Sequence, residues 1–424
     1  MMFELLTENN ISFPDGFLWG TGTAGHQIEG NNIHSQRWNE ELADRERYPE
    51  VSGEACGSWE RFGRDAQMAA ECGSQVYRFS VEWARIEPEE GQFNAAALNR
   101  YLELMRDLQK RGIRRMVTLH HFTHPAWFEA KGGFGRRENT VCFLRYLEYL
   151  VPRIAELTDG WVVFNEFNGD LIPAENKANF LYAQADAARL IRSYSKAPIG
   201  IAHAYTPFVP EEPDDEFDRM ECERRDWAVN RFFFHAIRTG EVVIPEREAE
   251  QIDGLKDSCD FWGINYYTRH YVSARHPGAF LPRPACDRVK MIRSDFYLEE
   301  CCPEYLLRGL LTLRDKPVWI TENGCVCNDD RLRILYLARH FSAVAEAIRR
   351  GVDVRGFLVW TLMDNYEWGS YEPRFGLYSI DRTTFEAQPK PSASFFRETA
   401  ERNGINAEMV LKYVPELKDF KIYT

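Results

Sequence analysis

Eight short apolar runs, most of them closing on a polar or aromatic side chain, constrain this 424-residue chain more than any other feature. They occupy 17–23, 75–81, 115–122, 160–166, 198–203, 260–267, 317–322 and 354–360. The seventh is typical. Val318, Trp319, Ile320 and Thr321 suit a buried strand, and Glu322, Asn323 and Gly324 then end it with turn chemistry. Between the runs, apolar residues at helical spacing predict helices near 59–72, 95–111, 141–158, 177–195, 227–237 and 332–350, with a closing helix at 392–401. Continuous apolar strands alternating with helices imply a parallel sheet buried on both faces. Eight strand runs alternating with mostly helical connectors are the pattern of an α/β (β/α)8 TIM barrel.

A composition of 44% hydrophobic and 14% aromatic residues can fill a large core. No Pro/Ser-rich linker interrupts the chain. Residues 1–424 are therefore expected to form a single barrel domain with long loops at 31–58, 205–258 and 268–300, and residues 405–424 an appendage. A net charge of −13 argues against nucleic acid and against an anionic membrane surface. No stretch approaches the roughly 18 apolar residues of a membrane helix, and residues 1–12 lack the basic-then-apolar pattern of a secretory signal. The ten cysteines match no zinc spacing, Cys301-Cys302 and Cys325-Val326-Cys327 included. They read as reduced thiols of a cytoplasmic protein without a metal.

In a barrel of this type chemistry sits at the carboxyl ends of the strands. The residues there are Arg78, His121, Asn165, Glu166, Asn265, Tyr267, Glu322 and Trp360. Arg78 lies inside an apolar run, and an arginine buried there demands an anion. His120, His121 and His124 fit hydrogen bonding better than a zinc site, which needs three ordered ligands. Glu166 and Glu322 close the fourth and seventh strands and so face each other across the mouth. Glycoside hydrolysis needs such a pair: one acid to protonate the leaving oxygen, one group to attack or to activate water. No lysine lies in any strand run, which argues against Schiff-base chemistry.

Several motifs now combine: Phe13-x-x-x-Phe17-x-Trp19-Gly20, Gln27-x-Glu29-Gly30, Tyr77-Arg78-Phe79-Ser80, Thr118-Leu119-x-His121 and Asn165-Glu166. Gly263-Ile264-Asn265-Tyr266-Tyr267, Ile320-Thr321-Glu322-Asn323-Gly324 and Trp360-x-x-x-Asp364-Asn365-x-Glu367-Trp368 complete the set. In this order they resemble glycoside hydrolase family 1, the β-glucosidases, β-galactosidases and relatives, over nearly the whole chain.

The resemblance implies that Glu322 is a nucleophile and Glu166 the general acid and then base of a retaining mechanism. It implies that Arg78, Asn265 and Tyr267 orient the nucleophile and that Asn165 bonds the sugar 2-hydroxyl. Gln27, His121, Glu367 and Trp368 match the hydroxyl-binding set, and Trp360 the stacking platform. Tyr266, Asp364 and Asn365 are read as structural. Two positions depart from the family: Phe167 stands where proline usually follows the acid/base glutamate, and Phe122 where tryptophan is common. Glu367 occupies the position of the serine that helps hold a 6-phosphate in the phospho-sugar branch, and a carboxylate there repels phosphate.

The expected function is an exo-acting retaining β-glycosidase on small-molecule β-glycosides or oligosaccharides, foremost a β-glucosidase with β-galactosidase or β-fucosidase activity. No cofactor is implied, and the sequence assigns no oligomeric state. The alternatives are a 6-phospho-β-glycosidase, a transglycosylase, or a silent sugar-binding protein on the same barrel.

Overall fold

The computed structural model describes residues 10–169, 172–244, 247–276, 291–293 and 298–418. Eight parallel strands close into a barrel in chain order: β1 Leu18–Gly22, β2 Val76–Ser80, β3 Arg114–His120, β4 Gly160–Asn165, β5 Ile199–Ala204, β6 Phe261–Asn265, β7 Val318–Asn323 and β8 Val354–Trp360. The helices outside it include α1 Phe62–Glu71, α2 Ala95–Lys110, α3 Thr140–Ile154, α4 Ala174–Arg192, α5 Phe232–Thr239, α6 Pro303–Leu310, α7 Asp330–Arg349 and α8 Pro391–Arg402. Local chemistry sets their ends. Asn94 caps α2 by accepting from Ala97 N, and Leu98, Tyr101, Leu104, Met105 and Leu108 form its buried stripe.

One residue from each strand builds an apolar floor inside the barrel: Leu18, Val76, Met116, Val162, Ala202, Phe261, Trp319 and Leu358. Side chains two residues apart share a strand face. Arg78, Thr118 and Thr321 therefore stand above Val76, Met116 and Trp319, and the interior changes from apolar to polar as it approaches the carboxyl ends. Strict alternation from Val162 would aim Phe164 inward. The register between β4 and β5 slips between Val162 and Asn165, Phe164 packs outward on Phe143 of α3 and Phe180 of α4, and Asn165 turns in. Similar slips precede Asn265 on β6 and Asn323 on β7. Such irregularities re-aim side chains at barrel rims.

Three regions differ from the sequence expectation. The chain is helical from 216 to 239, where the sequence marks only 227–237. Glu216–Asp226 is polar on nearly every face, so apolar spacing cannot signal it, although Asp215 caps it through Phe217 N and Asp218 N. Helix α6 falls where the sequence marks no element; it is only eight residues long and starts with Pro303 in the first turn. The segment read as an appendage, 405–424, lies partly outside the described residues. Its described part pairs Gly404–Ile405 with Ile11–Ser12 and buries Met409 and Val410 in the main core. No helix among the described residues is long and apolar enough to cross a membrane.

Candidate active site

Arg78 is the hub of the barrel mouth. Its side chain is 1% exposed. Nη1 lies 2.6 Å from Glu322 Oε1, Nη2 donates to Asn165 Oδ1 at 2.6 Å, and Nε donates to Thr118 Oγ1 at 3.0 Å. The second oxygen of Glu322 accepts from Tyr267 OH at 2.6 Å. Asn265 Nδ2 donates to Asn165 Oδ1 at 3.1 Å and to Glu166 Oε1 at 2.8 Å. Thr321 Oγ1 in turn donates to Asn265 Oδ1 at 2.7 Å. An unbroken chain of polar contacts thus runs from Glu322 through Arg78, Asn165 and Asn265 to Glu166. Asn265, expected beside Glu322, bridges towards Glu166 as well.

The two carboxyl groups sit in unequal surroundings. Burial pushes Glu166 up to about 8, the negative charge of Glu322 adds to the rise, and only the Asn265 hydrogen bond and the more distant Arg78 oppose it. Burial also raises Glu322, but the Arg78 guanidinium and the Tyr267 hydroxyl pull directly against that rise. Burial, followed by the charge of Arg78, holds His121 well below the usual imidazole range, so its ring is neutral.

A wall of rings and amides completes the pocket. His121 stacks near Trp360, with ring centroids 5.7 Å apart and planes 10° from parallel. Phe122 meets Trp368 edge-on at 5.3 Å. Gln27 Nε2 donates to Asn365 Oδ1 and to the Tyr366 carbonyl, while buried Gln27 Oε1 and His121 Nδ1 have no partner among the described residues. Buried polar atoms left unpaired cost free energy, and a hydroxylated ligand is chemically able to satisfy both. Glu367 is buried in the segment that follows β8. Gly324 is required: a Cβ there would sit 1.9 Å from the Trp360 carbonyl oxygen. Phe122, Glu166 and Trp368 all adopt positive φ, at +65°, +51° and +48°, a region uncommon for residues other than glycine and most so for bulky ones.

Hydrogen bonds and ring contacts join Arg78, His121, Asn165, Glu166, Asn265, Tyr267, Glu322, Trp360 and Trp368 in one cluster, Gln27 holds the segment after β8 that carries Glu367, and His120 and His124 bond each other and Glu129 instead. Sequence reasoning misses several supports. Thr118 and Thr321 read as ordinary strand formers. His26 stacks near Trp368 with parallel rings 5.9 Å apart and shares a 2.8 Å contact with buried Glu41. Its one signal is its place beside Gln27.

A parallel (β/α)8 barrel carrying paired, electrostatically distinct carboxyl groups at the ends of β4 and β7 has the architecture of a glycoside hydrolase. The model of glycosyl hydrolase family 1 matches residues 9–405, and the chain belongs to that family as a retaining β-glycosidase. It is 29% identical to a β-galactosidase of Sulfolobus acidocaldarius over 97% of this chain and 100% of that one. It is 30% identical to a thermostable β-glucosidase B of Thermobispora bispora, over 93% and 92% of the two chains. Among solved structures, a β-glycosidase from Pyrococcus horikoshii superposes with a TM-score of 0.84 at 34% identity, covering 96% of this chain and 98% of that one.

Proposed function

We propose that Glu322 is the nucleophile and Glu166 the acid/base of a double displacement on terminal β-linked sugars, with glucose preferred and galactose or fucose accepted. In the first step a Glu322 oxygen attacks the anomeric carbon, the glycosidic bond breaks, and the Glu166 proton passes to the leaving oxygen. Esterification removes the charge of Glu322, so the Glu166 acidity rises as its role changes. Glu166 then takes a proton from water, the water oxygen attacks the same carbon, and the ester to Glu322 breaks. Two inversions give net retention.

The observation that carries this reading is the unequal pair: Glu166 raised to about 8 beside Glu322 held by Arg78 and Tyr267. Arg78, Asn265 and Tyr267 orient the reacting carboxyls, and Asn165 meets the 2-hydroxyl. Gln27, His121, Glu367 and Trp368 bind the remaining hydroxyls over the Trp360 platform. Gln27 Oε1 and His121 Nδ1, without a partner among the described residues, support hydroxyl binding, and the Glu367 carboxylate supports an unphosphorylated sugar. The whole chain acts as one domain, a reading supported by Ile405, Met409 and Val410 in the main core. Buried thiols at Cys56, Cys72, Cys142, Cys222 and Cys259 support a reducing, cytoplasmic setting.

Initial rates on nitrophenyl β-glucoside, galactoside, fucoside, mannoside, xyloside and 6-phosphoglucoside test it. Fast turnover of the glucoside with none of the phosphate ester is expected. Turnover of the phosphate ester alone would overturn the substrate assignment.

A further inference from the structure

Glu166 holds a left-handed backbone conformation, φ +51°, at the first position after β4. A glutamate gains nothing locally from that conformation, so its neighbours must impose it. Glu166 N donates to Ala202 O at 2.7 Å, and Gly169 N closes a turn on Glu166 O at 3.3 Å. Those two bonds fix where the turn begins and ends. They do not fix its path between.

Two side chains do. Phe167 is 3% exposed and wedges between α4 and α5, with its ring 5.4 Å from Phe180 and 4.7 Å, edge-on, from Phe233. Asn168 is fully buried and is bonded to the end of β5. Its Oδ1 accepts from Ala204 N at 3.0 Å, and its Nδ2 donates to Ala204 O at 2.9 Å and to Val229 O at 3.0 Å. By taking both backbone groups of Ala204, the Asn168 amide does for β5 what a paired strand residue would do. It continues the β4–β5 association beyond its last backbone pairing, Asn165 with Ala202. It also ties the same turn to the helical segment 216–239 through Val229.

We propose that Asn168, backed by Phe167, is a positioning residue for the acid/base carboxyl. It does not touch substrate. It holds the turn so that Glu166 keeps its backbone conformation and its 2.8 Å contact with Asn265. The proposal rests on the reading of Glu166 as the acid/base. Without the clamp, Glu166 relaxes from the left-handed region and its proton no longer meets the leaving oxygen within hydrogen-bond reach.

The test compares Asn168→Ala and Asn168→Ser with Glu166→Ala on two glucosides. The dinitrophenyl glucoside has a leaving group that needs no proton; an alkyl glucoside needs one. For both Asn168 variants kcat/KM on the dinitrophenyl substrate should stay within about twofold of the parent, and on the alkyl substrate fall by about tenfold or more. Glu166→Ala should follow the same pattern more strongly. Added azide, which attacks the glycosyl-enzyme without a base, should restore part of kcat on the dinitrophenyl substrate in all three. Equal loss on both substrates, or no loss on either, in the Asn168 variants while Glu166→Ala discriminates would overturn the positioning role alone. No discrimination by Glu166→Ala would overturn the acid/base assignment itself. Asn168→Ser keeps a polar group for one of the Ala204 bonds, so it remains a test if Asn168→Ala fails to fold.

Discussion

Arg78 Nη1 and Glu322 Oε1 lie 2.6 Å apart, with side chains only 1% and 4% exposed. Two charges out of water are costly unless each is fully engaged. Arg78 is so engaged: beyond Glu322 it donates to Asn165, to Thr118 and to the Thr321 carbonyl. The cation belongs to the site because it opposes the rise that burial imposes on the Glu322 carboxyl.

Breaking that pair should therefore cost more than a surface ion pair. Arg78→Met is expected to lose about 3–5 kcal/mol of stability, because Glu322 is left buried without a counter-charge. Chemical denaturation of parent and variant measures it. Parent-like stability would mean that water reaches Glu322 and does the work assigned to Arg78.

Tyr267→Phe removes one charge-assisted hydrogen bond and little volume. That bond lowers the Glu322 pKa, so its loss should raise it. The acidic limb of kcat/KM should move to higher pH, and the rate at the optimum should fall by roughly 10–100-fold, the equivalent of about 1.5–3 kcal/mol. A full pH–rate profile checks both. An acidic limb that stays in place would separate it from Glu322.

The basic limb should report Glu166, which must carry a proton in the first step. With its pKa raised to about 8, activity should decline above that pH, and Glu322→Gln, by removing a like charge, should lower the Glu166 pKa. The folded state holds this proton more tightly than the unfolded chain, whose glutamates titrate near 4.3. Stability from this group is therefore complete below that value and is lost as pH rises towards 8. Glu166→Gln, which cannot ionise, should gain thermal stability relative to the parent as pH rises through that window. Melting curves across it decide the matter; a constant difference would contradict the raised pKa.

Gln27 Oε1 is buried without a partner among the described residues. Gln27→Ala should reduce kcat/KM on the glucoside by about tenfold, and much less on the matching deoxy-glucoside that lacks the hydroxyl Gln27 binds. A screen of singly deoxygenated glucosides identifies that hydroxyl. Equal losses on every substrate would make Gln27 a structural residue.

The alternation of apolar runs and helices carried the barrel, and the polar strand ends carried the rim, because parallel strands buried on both faces concentrate polar residues towards the end where the chain exits. Other features depend on geometry that sequence does not encode locally. Thr118 and Thr321 are unremarkable strand residues until Arg78 and Asn265 lie beside them. Nothing in the sequence around Asn168 signals its bonds to Ala204 and Val229, which join positions 36 and 61 residues away. Helix Glu216–Asp226 has no apolar stripe, and α6 is too short for periodicity to mark. The positive φ at Glu166 is similarly hidden, since tertiary contacts and not glutamate's own preference impose it.

The most direct test of the account is trapping with dinitrophenyl 2-deoxy-2-fluoro-β-glucoside. The fluorine slows both steps and the good leaving group rescues the first, so the glycosyl-enzyme accumulates. Mass spectrometry of the digested protein should then find one fluoroglucosyl group per chain, on the peptide holding Thr321, Glu322 and Asn323, with Glu322 as the labelled residue. A label on another residue, or a product of inverted configuration with no covalent adduct, would contradict Glu322 as the nucleophile of a retaining mechanism.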